Sequence, residues 1–276
     1  MPHGETLPQL DSEALALFAR KGLEAGPDAP QVGEANAVKV RRVMQLTRDL
    51  TGRPFAELRI LDLGCGEGVY AIEGGLRGAH VLALDARTER MSEGAACAAR
   101  HGLGNVIFKQ EDARGVRRDT HGEFDVVWCL GLLYHLDTTD LFELIAGVHD
   151  LCRGVLVVDT LVSLTGDTEV THDGQTYTGE RHREHGDDDP LEVRRGRLLR
   201  SIDNTFALRL TRDSLVSALR DAGFPTVLEC HAPQEPYKAA DRITLAALKG
   251  APMQVATYPW LNGLSEAEIE RRLRRE

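Results

Sequence analysis

A regular alternation of short apolar runs with helical stretches, beginning at Arg59, limits the possible folds most strongly. Strands of a parallel sheet that is buried on both faces have this texture, and a helix crosses over between them. The predicted strands are 59–63, 80–84, 105–109, 124–130 and 154–160. The predicted helices between them are about 69–77, 88–101 and 138–151. The sequence therefore predicts an α/β fold with a mostly parallel sheet.

The flanking segments have a different pattern. Two helices are predicted before residue 58, at about 11–24 and 34–50, and the breaker-rich segment GPDAPQVG separates them. We interpret residues 1–57 as a helical lid or flank of the main domain, 58–250.

After the fifth strand the pattern stops, because 163–203 is polar, charged and rich in histidine. We assign 163–205 as an insertion on the substrate side. A helix at 212–222 and strands at 226–230 and 243–248 follow, and the strands form a closing hairpin through PQEPYKAADR. In the tail, 251–276, a Ser265-x-x-Glu268 capping box predicts a short helix after a loop.

Charge and cysteine content exclude several classes of protein. The 276 residues include 43 acidic and 33 basic ones, and a net charge of −10 disfavours nucleic acids and anionic membranes as partners. We expect a cytoplasmic protein, since no stretch has the pattern of a secretion signal or a membrane span. The five cysteines show no CxxC spacing, so we expect reduced thiols and assign no metal ligands.

The most specific motif is Asp62-Leu63-Gly64-Cys65-Gly66-Glu67-Gly68, which follows a strand and opens a helix. Glycines there allow a sharp turn and let a ligand approach backbone N–H groups. A second marker is Asp85, which ends the next strand and is placed to accept hydrogen bonds from a ribose diol. The two features together predict a nucleotide-type ligand.

Two cofactor classes fit a glycine loop followed by an acidic residue. In NAD proteins the loop binds a pyrophosphate, which the carboxylates of Asp62 and Glu67 would repel. S-adenosylmethionine (SAM) carries an ammonium and a sulfonium, so acidic residues near the loop are compatible with it. The sequence favours SAM over NAD and over a glycine turn without a ligand.

The pattern D-x-G-x-G-x-G, Asp85 and Glu111-Asp112-Ala113 resembles class I SAM-dependent methyltransferases over about 58–160. The resemblance implies a Rossmann-like fold whose mostly parallel seven-stranded sheet has an antiparallel closing strand. It also implies that Asp85 binds the ribose, that Asp112 flanks the adenine, and that Asp62 acts through water or holds the loop. An ordinary helix cap is the alternative role for Asp112. The other residues assigned to the cofactor are Gly64, Cys65, Gly66, Ala86, Ala113, Leu130 and Gly131.

The segment after the fourth strand, Leu130 to Leu136, lies where open α/β sheets bind ligands. His135 is a candidate general base, and packing near the cofactor is its structural alternative. Tyr134 is either a ligand contact or a core residue. From Gly131 to Asp167 the chain also resembles the tRNA wobble-uridine carboxymethyltransferase group, which favours Tyr134 as a ligand contact.

Within the insertion, Arg181, His182 and His185 are candidate substrate contacts, and Asn204 is a weaker one. Nitrogen and oxygen ligands are abundant from Glu180 to Asp189, but their spacing matches no metal motif. A solvated loop of mixed charge is the default interpretation of this stretch.

The expected function is SAM-dependent methylation of an oxygen or nitrogen of a small polar molecule, with His135 and Tyr134 as catalytic candidates. One alternative is modification of a tRNA base, which requires Arg194, Arg195, Arg197 and Arg200 to gather on one face. Another is a SAM-binding protein without catalysis. A homodimer through residues 12–23 is also left open.

Overall fold

The computed structural model describes residues 9–23, 29–231, 240–253 and 265–274. Its central sheet has seven strands in the order β3-β2-β1-β4-β5-β10-β9. These strands are β1 Arg59–Leu63, β2 His80–Asp85, β3 Val106–Gln110, β4 Phe124–Leu130, β5 Cys152–Leu161, β9 Thr226–Glu229 and β10 Arg242–Leu248. Neighbouring strands from β3 to β5 are parallel, whereas β10 is antiparallel to both β5 and β9. This is the predicted Rossmann-like methyltransferase fold with an antiparallel closing strand. Most of the connection between β9 and β10 lies outside the described residues.

Helices pack on both faces of the sheet. The α-helices of the described residues are α1 Ser12–Leu23, α2 Ala29–Thr51, α3 Val69–Leu76, α4 Thr88–Arg100, α5 Arg118–His121, α6 Thr138–Leu151, α7 Leu191–Gly196, α8 Arg212–Asp221 and α9 Glu266–Leu273. Helix α9 begins with the predicted capping box of Ser265 and Glu268. No helix within the described ranges is both long and apolar enough to cross a bilayer.

Two apolar cores lie on opposite faces of the sheet. One contains Phe142 and Leu144 of α6 with Leu215 of α8, and the other contains Val43 and Met44 of α2. Trp128 of β4 is fully buried in the second core, and its indole N–H donates to Thr47 Oγ1 at 3.0 Å. The apolar strands are thus buried on both sides, as their continuous hydrophobic sequences predicted.

The N-terminal helices pack against the body of the molecule. Ala14 and Leu17 of α1 are buried within this chain. Helix α2 begins at Ala29, earlier than the predicted position 34, so Pro30 and Gly33 lie inside it. Proline is tolerated in the first turn of a helix, where its missing N–H has no intrahelical partner. Helix α2 therefore includes residues 29–33 of the breaker-rich segment, and the gap between the two helices is shorter than the composition of this segment suggested.

The insertion after β5 forms a second sheet. Strands β6 Thr168–His172, β7 Gln175–Arg183 and β8 Phe206–Leu210 pair in the order β6-β7-β8. The solvated loop predicted from Glu180 to Asp189 was wrong in part, since 180–183 belong to β7 and Glu184 and His185 are buried. The turn is Asp173-Gly174, with φ values of 47° and 78°, and Asp-Gly is a strong hairpin signal that polar composition concealed. Tyr177 of β7 is buried against Phe142 of α6, which anchors the hairpin to the core.

Candidate active site

A cavity of about 350 Å³ opens at the carboxyl ends of β1, β2 and β4. The sequence-assigned cofactor residues all line it: Asp62, Gly64, Cys65, Gly66, Asp85, Ala86, Asp112, Ala113, Leu130 and Gly131. Phe18 of α1 and Asn36 and Lys39 of α2 line it as well. The parallel strands bring together motifs that are separated along the chain.

The glycine loop turns through left-handed backbone conformations. Gly64 and Gly66 have φ values of 66° and 56°, which disfavour any residue with a side chain. Asp85 holds the loop, since its Oδ2 accepts from Gly66 N and its Oδ1 from Arg87 N, both at 2.9 Å. A carboxylate has further lone pairs, so these bonds leave Asp85 able to accept from a ligand hydroxyl.

Asp62 is buried beneath the glycine loop, and its carboxyl group lacks a full set of hydrogen-bond partners. Its Oδ2 is buried and has no hydrogen-bond partner, although Asp62 lines the cavity. Burial, with a smaller contribution from the nearby Asp85 charge, raises the pKa of Asp62 to about 8. An unpaired buried carboxyl is costly, so the site is suited to a cationic group that pairs with it.

The second acidic residue of the loop is already neutralised. Glu67 forms an ion pair with Arg90, whose Nη2 lies 2.9 Å from Oε1. Arg90 also lies over the loop, 3.0 Å from the position that a Cβ on Gly66 would take. Asp62, and not Glu67, is therefore the carboxyl group in the loop that lacks a full set of partners.

Asp112 is a lining residue of the cavity and also caps a turn. It lines the cavity, and its Oδ1 caps a short 3₁₀ turn by accepting from Arg114 N at 3.0 Å. Burial disfavours the charged form of Asp112, but hydrogen bonds and charge from Arg114 outweigh this and lower its pKa. Arg114 also pairs with Asp140 of α6 and Asp203 of the insertion, at 2.8 and 2.7 Å. This ion-pair network joins the part of the cavity wall that contains Asp112 to the insertion.

Residues 195–202 of the insertion form a roof over the cavity. Arg87 donates to the backbone carbonyls of Arg195, Arg197, Arg200 and Ser201 at 3.0–3.2 Å. Arg90 donates to that of Leu198 at 3.2 Å. Leu198, Leu199 and Ile202 consequently line the cavity. The two arginines lie two and five residues after Asp85, so the short segment 85–90 contacts both the glycine loop and the roof.

His135 is half-buried and pairs with a buried carboxylate. Its Nδ1 lies 2.9 Å from Oε1 of Glu184, a carboxylate whose side chain is 1% exposed. Burial opposes ionisation of Glu184, but the hydrogen bond and charge of His135, together with the N–H of Ser201, outweigh it and lower its pKa. An ionised carboxylate can only accept, so Nδ1 carries the proton and a neutral His135 has its lone pair on Nε2. His135 also lines the cavity, so a ring oriented in this way would suit the general base expected from the sequence.

Tyr134 and Asn204 also line the cavity. The Tyr134 ring lies 4.2 Å from the ring of His135, and the Arg242 guanidinium lies 6.0 Å from it. Asn204 donates from Nδ2 to the carbonyl of His135 at 3.0 Å, which ties the insertion to this wall. Arg242, another lining residue, is paired with Asp159 through Nε at 2.6 Å.

The other candidates from the insertion lie elsewhere. Arg181 stacks on the ring of Phe206 at 4.2 Å, and His182 is half-buried outside the residues that line the cavity. His185 is buried, with Nε2 2.9 Å from the carbonyl of Ser201, and supports the roof from behind. The structure thus brings Tyr134, His135 and Asn204 together but does not bring Arg181, His182 or His185 to the same surface.

Several residues of the site were not predicted from the sequence. Glu184 lies among many charged residues and has no motif that distinguishes it. Arg87 and Arg90 had a detectable signal, since they follow the predicted ribose-binding Asp85 at the start of a helix. Arg242 begins the last strand, β10. Only the antiparallel pairing of β10 with β5 places Arg242 beside Leu161, at the carboxyl end of β5.

Comparison with known proteins agrees with this geometry. Residues 60–154 match a methyltransferase domain family. Ubiquinone biosynthesis O-methyltransferase from Acinetobacter baumannii (strain AYE) is 30% identical over 130 residues, which cover 46% of this chain and 53% of that protein. The enzyme of the same name from Caulobacter sp. (strain K31) is 31% identical over 125 residues, 45% of this chain and 49% of that protein. The matches thus span about half the length of these curated relatives.

Solved structures share the fold at low identity. The N-terminal domain of EvdMO1 with SAH bound has a TM-score of 0.61 at 20% identity, covering 89% of this chain and 100% of that one. Burkholderia thailandensis 1,6-didemethyltoxoflavin-N1-methyltransferase has a TM-score of 0.53 at 19% identity, covering 90% and 94%. Identities this low support the fold alone. Residues 60–154, which carry the glycine loop, thus match a methyltransferase domain family, and the solved structures share the fold of this chain.

Proposed function

We propose that this protein is a SAM-dependent methyltransferase that acts on an oxygen or nitrogen of a small polar molecule. One observation carries the proposal: the cavity that contains the glycine loop also contains His135, oriented by Glu184. A cofactor site and a proton acceptor therefore face the same enclosed space. Methyl transfer needs little more than aligned, desolvated reactants and a place for the departing proton.

The residues present fit the cofactor. The unpaired Oδ2 of Asp62 suits a ligand with an ammonium group, and Asp85 retains lone pairs for a ribose diol. Gly64 and Gly66 leave the loop surface free of side chains, while Asp112 and Ala113 would flank the base. When bound, SAM supplies an electrophilic methyl group on a sulfonium.

His135 and the roof supply the remaining functions in this proposal. Nε2 of His135 takes the proton from the hydroxyl or amine of the acceptor, and Glu184 stabilises the resulting imidazolium. Residues 198–202 exclude water from above, and Tyr134 and Asn204 contact the acceptor. Arg181, His182 and His185 would then influence the acceptor only through the position of the roof.

A small acceptor is favoured over tRNA by how the insertion uses its arginines. Arg194 donates to backbone carbonyls that include those of Asp189 and Asp203, and Arg197 pairs with Asp189 at 2.5 Å. Arg200 donates to the carbonyl of Arg183 at 3.0 Å. The names of the relatives support a small acceptor too, since one refers to ubiquinone biosynthesis and another to 1,6-didemethyltoxoflavin.

The test begins with calorimetric titration of the cofactor-stripped protein with SAM, S-adenosylhomocysteine and NAD. We expect micromolar binding of both sulfur compounds and none of NAD. Release of S-adenosylhomocysteine is then measured with panels of small phenols, alcohols and amines, and with tRNA. Turnover only with tRNA, with salt-sensitive binding, would establish the tRNA alternative. Binding without turnover in any panel would favour a non-catalytic SAM-binding protein, and absence of SAM binding would refute the proposal.

We also propose that the protein is cytoplasmic. We further propose that any homodimer forms while α1 stays packed against the rest of its own chain. The buried Ala14 and Leu17 already pack within the chain, so they are unavailable as an interface. Light scattering during size-exclusion chromatography tests the oligomeric state. A dimer that dissociates when exposed residues of α1 are changed would place the interface on this helix.

A further inference from the structure

A cluster of potential metal ligands lies where α1 meets the end of α4. Within the described parts of the chain, Glu13, Cys97 and His101 each direct one ligand atom into a group whose members all lie within 4.8 Å of one another. Asp11 adjoins them, because its Oδ1 lies 3.3 Å from Nε2 of His101. None of these residues lines the cavity of the candidate active site.

His101 provides a second observation that points to a ligand. Its Nε2 is buried and makes no hydrogen bond, although Asp11 Oδ1 and Glu13 Oε2 both lie 3.3 Å away. Two carboxylates thus face a ring nitrogen without the geometry of a hydrogen bond. A cation between them would use the lone pair of Nε2 and both negative charges.

The ligand types and their spacing fit zinc. Cys97 and His101 are one helical turn apart on the same face of α4, with His101 as the residue that ends the helix. Tetrahedral zinc binds thiolate, imidazole and carboxylate at about 2.0–2.3 Å, which places ligand atoms roughly 3.3–3.8 Å apart. The group therefore needs only a small contraction to surround the ion.

We propose that Cys97, His101, Glu13 and Asp11 form a zinc-type structural site that fastens α1 to α4. Arg100 is the competing cation, because it forms an ion pair with Oε1 of Glu13 and lies close to Cys97. Oε2 of Glu13 stays on the side of His101, so zinc and Arg100 can share this carboxylate. Zinc binding requires loss of the Cys97 thiol proton to solvent.

The proposed zinc site involves a helix that also forms part of the cavity wall. Helix α1 also carries Phe18, which lines the cavity and packs edge-on against Tyr70 at 5.8 Å between ring centroids. Fastening the start of α1 would restrict the movement of this wall. The metal would therefore act on stability and on the cavity wall, not on chemistry.

Cobalt is the probe for the test, because a thiolate–cobalt bond gives a charge-transfer band in the near ultraviolet. The full-length protein is reduced, stripped with a chelator and titrated with Co²⁺, then with Zn²⁺ in competition. We expect a band that saturates at equimolar Co²⁺ and disappears when Zn²⁺ is added. Cys97→Ser and His101→Gln should abolish it, whereas Cys230→Ser and the exposed-site control His80→Gln should keep it.

Absence of the band in the wild-type protein, or its persistence in Cys97→Ser, would overturn the proposal. Since Cys97 is fully buried and its variant can fail to fold, His101→Gln gives a second test at a partly exposed residue. Zn²⁺ should raise the melting temperature of the wild-type protein but not that of His101→Gln. An equal rise in both proteins would also overturn it. Arg100→Ala should bind Co²⁺ more tightly, because it removes the competing cation. None of these measurements depends on methyl transfer.

Discussion

The two ends of the cavity are assembled from the chain in different ways. The proposed cofactor end depends on residues 62–68 and 85–90, two short segments at the ends of adjacent parallel strands. The proposed acceptor end combines His135, Glu184, the roof and Asn204, which come from separate elements. The first end is fixed by local turns and strand pairing, and the second depends on long-range contacts that hold the insertion in place. This contrast predicts that changes at the two ends affect different measured quantities.

The largest effect is expected from His135→Gln. Removing the general base should lower kcat about 10²–10⁴-fold, with little change in the dissociation constant of SAM. Steady-state kinetics on the acceptor found in the screen, with calorimetry for SAM, checks both quantities. A large loss of SAM affinity would mean that His135 supports the cofactor end as well.

Glu184→Gln is the companion variant, since Glu184 would act on the reaction through His135, while its other carboxylate oxygen accepts from Ser201 N of the roof. We expect a smaller loss of kcat, about 10-fold, and a shift of the lower limb of the pH–kcat profile to lower pH. The shift follows because an ionised Glu184 stabilises the protonated imidazole, and an amide does not. An unchanged pH profile with reduced kcat would assign Glu184 a merely structural role.

Asp85→Ala should act at the other end. It removes acceptors for Gly66 N and Arg87 N as well as for the ribose, so SAM affinity should fall about 100-fold or more. Asp213→Ala, at a side chain that is 92% exposed, is the matched control and should leave affinity unchanged. Calorimetry that finds normal affinity in Asp85→Ala would remove the basis for the predicted ribose site.

Arg87→Ala tests whether the ends are coupled. The variant loses the bonds to the backbone of residues 195–201, so the roof should open more often and KM for the acceptor should rise by about 10-fold. Proteolysis within the insertion should accelerate in parallel. If the acceptor KM is unchanged while SAM affinity falls, Arg87 serves the cofactor end alone.

The smallest predicted effect is the release of a proton from Asp62 when SAM binds. With a pKa of about 8 in the ligand-free protein, Asp62 is mostly protonated at pH 6–7 and ionised above pH 8. A cationic ligand favours the ionised form, so binding of SAM near pH 7 should release up to about one proton, and affinity should rise with pH until about pH 8. Calorimetry in buffers of different ionisation enthalpy measures this release. Asp62→Asn should eliminate it, and a wild-type protein that releases none would contradict the unpaired role of Asp62.

Sequence patterns predicted the central sheet well because its determinants are local. The strands at 59–63 and 124–130 and the helix at 138–151 appear in the structure with the predicted bounds. Their apolar periodicity reflects burial on both faces, which each segment encodes by itself. The β6–β7 hairpin was missed because polar side chains dominate it and only Asp173-Gly174 carried a signal.

By itself, the sequence determined the βα framework, the glycine loop and the acidic residues that follow it. These features depend on backbone turns and strand order, which short motifs specify. Only the tertiary structure decided that Glu184 meets His135, that Arg87 and Arg90 hold the roof, and that Glu13 approaches Cys97 and His101. Such pairings join side chains that are far apart along the chain. Their distances follow from how the insertion and α1 pack on the sheet, which no local pattern encodes.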